Sequence, residues 1–428
     1  MIRPLAFFFL LSVANVHGAE AKQRALTLKE AHEIALKKHP KITVAELQAL
    51  AAIQVVKEVQ SVTLPQVSAN VGATVADQTN TKVVSGILPV SSVMNRASAS
   101  VLVSQLITDF GRTPHLIKSS KLQQDAQEKN VEATRELILL DVDGAYVGAL
   151  QAESLVHVAE ETVSTRQLVR DQIAALAKNQ LKSELDASFA EVNYQEALLL
   201  LSKSQNDLQS AFASLAAVLD EPETTSYRLA DSPSPGELSP NVSTFIGLAV
   251  SNRPDLQRLR LEHLSAGEFA KAQAALNRPT LSVQATAGVL PWRDPTLNQN
   301  YAVAGIALTW PIFTGGLNTA LRKEAELRSQ AVAATLHDEE NNAMRDVRVA
   351  WLAANNALER FGITTKLLAQ ARKSMDLAQA RYDTGISSIV ELSQAQLNLT
   401  SAEITRTDAR YEYLIRRSVL DYQTGTLH

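Results

Sequence analysis

The hydrophobic and polar positions of this chain follow two periods, one typical of helices and one typical of strands. Over residues 113–179 apolar side chains recur three and four positions apart, and beyond the first turn only Gly144 and Gly148 interrupt the run. This pattern predicts one helix, which at the rise of an α-helix is about 100 Å long. Residues 318–384 show the same pattern and predict a second helix of this length, followed after Gly385 by a shorter one.

Strict alternation of apolar and polar residues marks the segments that precede the long helices. Over residues 67–75, valine and alanine alternate with serine, asparagine, glycine and threonine, which predicts a strand with one apolar face. A return strand is predicted over residues 98–106. The pair recurs as residues 281–289 and 301–310, separated by a polar loop over 291–300.

The two halves of the chain repeat one plan, which indicates an internal duplication. The first half opens with apolar residues at helical spacing, predicted as a single helix over residues 28–62 that Pro65 ends. The matched positions are Pro40 with Pro254, Pro65 with Pro279, Gly111 with Gly315, and residues 181–186 with 386–391.

Clusters of proline and small residues divide the chain. Residues 1–18 combine a basic start with a short apolar run, which predicts a signal peptide cleaved between Gly18 and Ala19, with a cut after Ala21 as the alternative. The first repeat is predicted over residues 19–220 and the second over residues 241–428. Residues 221–240 between them are rich in proline and serine and are predicted to be a linker.

Composition excludes several classes of protein. The 41 basic and 45 acidic residues leave a net charge of −4, so no basic footprint for a nucleic acid exists. Cysteine is absent, which excludes disulfides, thiolate metal sites and a lipidated cysteine. Beyond the predicted signal, no apolar run reaches the ~18 residues of a spanning helix, so the mature chain is either soluble or crosses a membrane through strands.

Sites for catalysis, a cofactor or a metal are not predicted. No glycine-rich phosphate loop of the Gly-x-x-x-x-Gly-Lys form and no Gly-x-Ser-x-Gly elbow occurs in the sequence. His32 and His39 stand seven positions apart without the spacing of a zinc site, and both are predicted to be surface residues.

Four strands with one apolar face cannot close their own edges, because an unpaired backbone group in lipid costs several kcal/mol. Other chains must therefore supply the missing partners. The small polar residues of the second face suit a water-filled lumen, and the alanine-rich stripes of the long helices suit antiparallel helices packed side by side. The predicted fold is mainly α with a membrane β part: long antiparallel helices that form a barrel, and β-hairpins that extend it.

Residues 380–396 carry a resemblance to a known family. They contain a Tyr-x-x-Gly turn, Tyr382 to Gly385, and an acidic residue six positions later, Glu391. Together with the signal peptide and the duplicated plan, this segment resembles TolC-type outer-membrane efflux proteins over nearly all of the mature chain. The resemblance implies a homotrimer with a twelve-stranded transmembrane β-barrel in the lipid of the cell outer membrane and a helical tunnel across the periplasm. It also implies a periplasmic adaptor and an inner-membrane pump as partners, and no chemistry on the exported substrate.

The resemblance further implies roles for residues at the ends of the hairpins. Glu391 would belong to a constricting acidic ring, in which a second position usual for an acid is occupied by Gln394. Asp186 is the counterpart of Glu391 in the first repeat. Tyr382 and Arg381 resemble residues that hold the closed state, and the tip turns at Gly385, Asn179 and Gln180 would receive the adaptor.

Two alternatives remain on sequence grounds. A soluble periplasmic adaptor or scaffold would also contain long helices, but such proteins place one helical hairpin between β-rich halves, whereas this chain repeats helix, hairpin and helix twice. An enzyme would need convergent ionisable groups in a pocket, and the helical tracts offer none at a recognisable spacing.

Overall fold

The computed structural model describes residues 24–75, 81–83, 91–93, 95–222, 227–230, 236–295 and 297–427. The helices are α1 (Leu28–Lys38), α2 (Pro40–Ser61), α3 (Arg112–Lys178), α4 (Glu184–Leu219), α5 (Val242–Asn252), α6 (Pro254–Ala274), α7 (Leu317–Asp383) and α8 (Ile389–Gln423). The strands are β1 (Arg24–Leu26), β2 (Gln66–Thr74), β3 (Thr81–Val83), β4 (Ser91–Val93), β5 (Arg96–Thr108), β6 (Tyr227–Leu229), β7 (Thr280–Arg293) and β8 (Asn300–Thr309). The predicted signal peptide, residues 1–18, lies outside the described residues.

Two hairpins of very long helices dominate the molecule. Helices α3 and α7 contain 67 residues each and begin at residues 112 and 317, so counterparts in the two hairpins lie 205 positions apart. Helix α3 packs along α4 and α7 along α8, while α2 and α6 lie against α3. At about 1.5 Å per residue, α3 and α7 each span about 100 Å.

The start of the long helices corrects one predicted match. Gly111 and Gly316 are the residues immediately before α3 and α7, so the counterpart of Gly111 is Gly316 and the pairing with Gly315 was wrong. Phe110 and Gly315 precede them, both with positive φ. The reason is the connection, which is longer in the second repeat because β8 ends at Thr309.

The single helix predicted over residues 28–62 is two helices, so that prediction was wrong. Pro40 is the first residue of α2, where its missing N–H is no loss, and His39 before it is extended with φ −63° and ψ 123°. Arg253 and Pro254 repeat this break between α5 and α6. The proline spacing that revealed the duplication therefore also marks a bend in each repeat.

The four long strands form one antiparallel sheet in the order β2-β5-β7-β8. The β-hairpin of the first repeat therefore joins the β-hairpin of the second repeat through β5 and β7. The register separates the faces. One row of paired residues across the sheet is apolar and consists of Val67, Val103, Ala285 and Ala304. The adjoining row, on the other face, consists of Gln66, Ser104, Gln284 and Gly305 and is polar. The apolar face is open in the single chain, with Val71 87% exposed.

Strand β7 also continues through Pro291, which was wrongly predicted to start a loop.

The largest buried cluster ties the N-terminal segment to both hairpins. Strand β6, inside the segment predicted as a linker, pairs in parallel with β1. The Tyr146 hydroxyl lies 2.8 Å from the carbonyl oxygens of Leu26 and Ala230 and so links the ends of these strands to α3. Buried around it are Leu26, Ala31, Ala35, Ile138, Val142, Leu215, Leu219 and Tyr411.

Within the described residues, no helix is both long enough and apolar enough to span a bilayer.

Candidate functional site at the hairpin tips

Both hairpins turn through the same backbone geometry. The amide of Leu181 donates to the carbonyl of Leu176, and the amide of Ile386 donates to the carbonyl of Arg381, each at 2.9 Å. This six-to-one bond is typical of a helix that ends on a left-handed residue. That residue is Gln180, with φ 58°, in the first hairpin and Gly385, with φ 76°, in the second.

Asn179 is the remaining residue that was predicted to lie in a tip turn, and it directly follows the last residue of α3. Its side-chain Nδ2 donates to the carbonyl oxygen of Ala175 at 2.8 Å, satisfying one of the free carbonyls at the helix end. Asn179, Gln180 and Gly385 are all exposed. The predicted tip-turn residues therefore lie in the two turns, on the surface.

Asp186 and Glu391 occupy equivalent positions, the third residue of α4 and of α8. Glu391 is thus in the first turn of its helix. Asp186 accepts from the Ser183 amide at 3.3 Å, while the Ser183 hydroxyl accepts from the Asp186 amide at 3.1 Å. This capping box satisfies the start of α4. Within the described part of the chain, Ser388 makes no corresponding side-chain bond at the start of α8.

Glu391 instead forms an ion pair with Arg381. The guanidinium Nε lies 3.0 Å from Oε1, and the two side chains are 53% and 44% exposed. Arg381 is in the last turn of α7 and Glu391 is in the first turn of α8. Each charge therefore also interacts favourably with the partial charge at its own helix end. The structure therefore brings together a predicted closed-state residue and a predicted constriction residue.

Tyr382 is buried between the two hairpins. It packs with Ile173 of α3, Ala190 of α4 and Leu392 of α8. Lys182 of the first tip lies with its ammonium 4.0 Å from the centre of the Tyr382 ring, a cation–π contact that the sequence did not reveal. Burial, with smaller contributions from the Asp186 and Asp383 carboxylates, raises the pKa of Tyr382. Its hydroxyl has no hydrogen-bond partner among the described residues.

Gln394 lies one turn beyond Glu391 on α8 and is exposed. Its amide donates to Asn398 Oδ1 at 3.0 Å, a bond along the same helix. Within the described part of the chain, no hydrogen bond links the Gln394 side chain to the other predicted tip residues.

The prediction that His32 is a surface residue was wrong. Its Nε2 lies 2.6 Å from Oδ1 of Asp143, and the two side chains are only 15% and 4% exposed. Helix α1 lies against α3 here, so the imidazole supplies the partner that the buried carboxylate needs. His39 is half-buried and caps α2, with its Nδ1 accepting from the Lys41 amide. Among the described residues, no group of three or more histidine or acidic side chains could hold a metal.

A second buried carboxyl lies far along the hairpin from the tips. Glu136 of α3 is 9% exposed and lines a small cleft with Arg253, Asp255 and Tyr422. Burial, with the carboxylates of Asp255 and Glu132 adding to it, raises the pKa of Glu136 from 4.5 to about 7. Glu136 therefore changes charge near neutral pH.

Comparison with known proteins gives this geometry a family. The model of the family described as outer membrane efflux protein matches residues 32–221 and 245–426, one match in each repeat. The chain belongs to the outer membrane efflux protein family. The efflux protein is 22% identical to outer membrane protein TolC of Escherichia coli strain K12, over 97% of its own length and 85% of that protein.

Solved structures show the same fold at low identity. The outer membrane protein VceC of Vibrio cholerae superposes with a TM-score of 0.78 at 17% identity, covering 93% of the efflux protein and 96% of VceC. The CmeC outer membrane channel of Campylobacter jejuni gives 0.79 at 17% identity, over 93% and 85% of the two chains. The efflux protein thus has the fold of these channels and, as a family member, is located in the outer membrane and extends into the periplasm.

Proposed function

We propose that the efflux protein is the exit duct of a tripartite efflux or type I secretion system, a passive homotrimeric conduit driven by an inner-membrane pump. The observation that supports this most is the union, in one chain, of a two-faced sheet with two helices of 67 residues. The sheet suits a membrane and the helices suit a tunnel across the periplasm. The exported substrate passes without chemical change.

The sheet supports a trimer because its edges are unpaired within the chain. Among the described residues, β2 and β8 each pair on one side only. Three four-stranded sheets joined edge to edge close a barrel of twelve strands, which leaves no backbone group unpaired in lipid. Its apolar row faces lipid and its polar row faces the lumen.

The helices support the same assembly. Helix α4 carries an apolar stripe that no element of the described chain covers: Leu185, Phe189, Val192 and Leu199. Helix α7 carries exposed apolar residues of its own: Val349, Leu352, Ile363, Leu367 and Leu377. Exposed apolar surface of this extent is typical of an interface, and neighbouring copies of the chain bury it.

The tips form the closed end of the tunnel. Glu391 and Gln394 line the narrow opening, with Asp186 near it, while Tyr382 and Arg381 hold the closed state by linking neighbouring helices. Tyr382 supports this role, because it lies between the two hairpins and would have to leave its site if they separated.

The same turns dock the periplasmic adaptor. Leu181 and Ile386, next to Gln180 and Gly385, are each 70% exposed, and apolar side chains at a tip suit a protein partner. The double variant L181D/I386D is expected to lose adaptor cross-linking in cells while keeping its assembly. Cross-linking at the wild-type level would move the docking surface away from the tips.

Conductance in planar bilayers tests the duct directly. The purified protein is expected to form ion-conducting pores, and Glu391→Lys is expected to shift the selectivity of these pores away from cations and towards anions. Absence of any pore would contradict the proposed function, whereas pores with unchanged selectivity in Glu391→Lys would place the constriction elsewhere.

A further inference from the structure

The Arg381–Glu391 pair has no equivalent in the first hairpin. The residue that matches Arg381 there, 205 positions earlier, is Leu176, which carries no charge. Asp186, the match of Glu391, turns back and caps α4 through Ser183. Two acids in equivalent backbone positions therefore have different partners, and the difference follows the presence of the arginine.

The cation also changes the charge at the tip of the second hairpin. Gln394, one turn further along α8, is neutral, so Glu391 is the acid that this part of α8 presents. Asp383 accepts from Gln379 at the end of α7, and Lys182 lies over the Tyr382 ring rather than beside Glu391. With Arg381 at 3.0 Å, the Glu391 carboxylate is offset by one positive charge.

We infer that Arg381 determines the ion selectivity of the duct by masking the Glu391 charge, so that the constriction is a ring of three neutral pairs and not an acidic ring. This inference rests on the proposed function, in which three copies of Glu391 surround the opening. A neutral ring lets small ions of either sign pass. It also gives a polyvalent cation little electrostatic attraction at the constriction.

Masking does not require a strong ion pair. Exposed pairs of this kind contribute about 0–1 kcal/mol to stability, and the two side chains separate and rejoin. What matters is that the guanidinium stays within the Debye length of about 8–10 Å, so that an ion on the axis feels both charges. Removing the cation exposes the carboxylate at every moment, whether or not Glu391 turns back toward Ser388.

A matched control lies on the same two helices. Arg372 of α7 pairs with Glu403 of α8, with Nη2 3.3 Å from Oε1. It is nine residues further from the turn than Arg381, which is about 13 Å along the helix and beyond the Debye length. Arg372→Gln therefore removes the same charge from α7 without unmasking Glu391.

The experiment compares reversal potentials of single trimers in a potassium chloride gradient for the wild type and five variants. Arg381→Gln is expected to raise the ratio of potassium to chloride permeability roughly three- to tenfold, from one unmasked charge per chain. Glu391→Gln is expected to lower the ratio, and the double variant R381Q/E391Q to return it near the wild-type value. Arg381→Lys, which keeps the charge, and Arg372→Gln are both expected to match the wild type.

An Arg381→Gln channel with the same ratio as Arg372→Gln would overturn the inference and leave the duct itself standing. A wild-type ratio as cation-selective as Arg381→Gln would overturn it equally, because the carboxylate would then already be unmasked. Absence of conductance in the wild type would overturn the proposed function and the inference with it. Circular dichroism and the trimer mass confirm the fold of each variant before recording.

Discussion

At the tip of the first hairpin Asp186 caps its own helix, whereas at the tip of the second hairpin the matching Glu391 pairs with Arg381 across the turn. The backbones are alike, since both α3 and α7 contain 67 residues and end on a left-handed residue. The duplication therefore preserved the turn and changed the side chains around it. The acid of the first tip caps its own helix, and the acid of the second tip forms an ion pair across the turn.

The residue in the last turn of the long helix, just before the tip, also differs between the two hairpins. Tyr382 in the second hairpin corresponds to Ala177 in the first, 205 positions earlier. The large ring fills the space between the hairpins and contacts the first tip through Lys182. The second tip therefore carries a contact that joins the two hairpins at their ends.

Removing the ring should have the largest effect. Tyr382→Ala deletes a side chain that is 5% exposed, and such truncations cost about 3 kcal/mol through the cavity left behind. We expect amides at the start of α8 to exchange hydrogen at least tenfold faster and the single-channel conductance to rise. Tyr382→Phe is the control, because the hydroxyl has no partner among the described residues and its loss should be nearly neutral. Equal effects of the two variants would contradict the packing role.

The buried acid of α3 should make stability depend on pH in a way that the second hairpin cannot. Glu136 corresponds to the exposed Asn341 in α7. Because the folded pKa of Glu136 is raised from 4.5 to about 7, the folded state binds more protons in this range, and stability falls as the pH rises from about 4.5 to about 7.

Glu136→Gln should remove this loss, so that the variant is more stable than the wild type at pH 8 by about 2 kcal/mol and equal to it near pH 4.5. Thermal unfolding followed by circular dichroism across this range measures the difference. Glu128→Gln, which removes an exposed carboxylate of the same helix that does not contribute to the raised pKa of Glu136, should leave the slope as it is. A parallel pH dependence in the wild type and Glu136→Gln would show that Glu136 ionises normally.

Exchanging the left-handed residues should have a smaller, asymmetric effect. Gly385→Gln forces a side chain into φ 76°, at a cost of about 1–2 kcal/mol. Gln180→Gly relieves the same strain but gives the unfolded chain more freedom, so its net effect should stay below about 0.5 kcal/mol. Hydrogen exchange of the Ile386 and Leu181 amides reports each turn separately. Equal protection in the two variants would mean that the turns are held by packing and not by the backbone.

The smallest expected effect concerns the caps. Ser183→Ala removes the capping box of α4 and should destabilise the start of that helix by about 1 kcal/mol. Ser388→Ala should cost less than half as much, because Ser388 makes no side-chain cap in the described chain. Exchange rates in the first turns of α4 and α8 give the comparison. A larger loss at Ser388 would indicate that Glu391 leaves Arg381 and caps α8 in solution.

The long elements could be predicted from the sequence because few residues interrupt them. The run predicted over residues 113–179 is α3, Arg112–Lys178, since helical periodicity persists until a turn residue stops it. The break at His39 was missed, although the restriction that Pro40 places on the residue before it was visible. The error at Gly315 arose because the second repeat has two consecutive glycines, Gly315 and Gly316, and the first of them was matched with Gly111.

The tip contacts could be predicted only where they are local. The opposite charges of Arg381 and Glu391, in the last turn of one helix and the first turn of the next, could have indicated a pair across a tight turn. Lys182 over Tyr382 joins residues 200 positions apart and depends on how the hairpins lie together, which no local pattern encodes. His32 was misjudged for the same reason, because its buried partner Asp143 lies on a distant helix.

The mass of the purified protein in detergent, measured by light scattering with the detergent subtracted, tests the trimeric duct most directly. The unpaired edges of β2 and β8 and the open apolar stripe of α4 lead us to expect three chains per particle and precipitation when detergent is removed. A single chain that stays soluble without detergent would contradict the duct and favour a periplasmic scaffold.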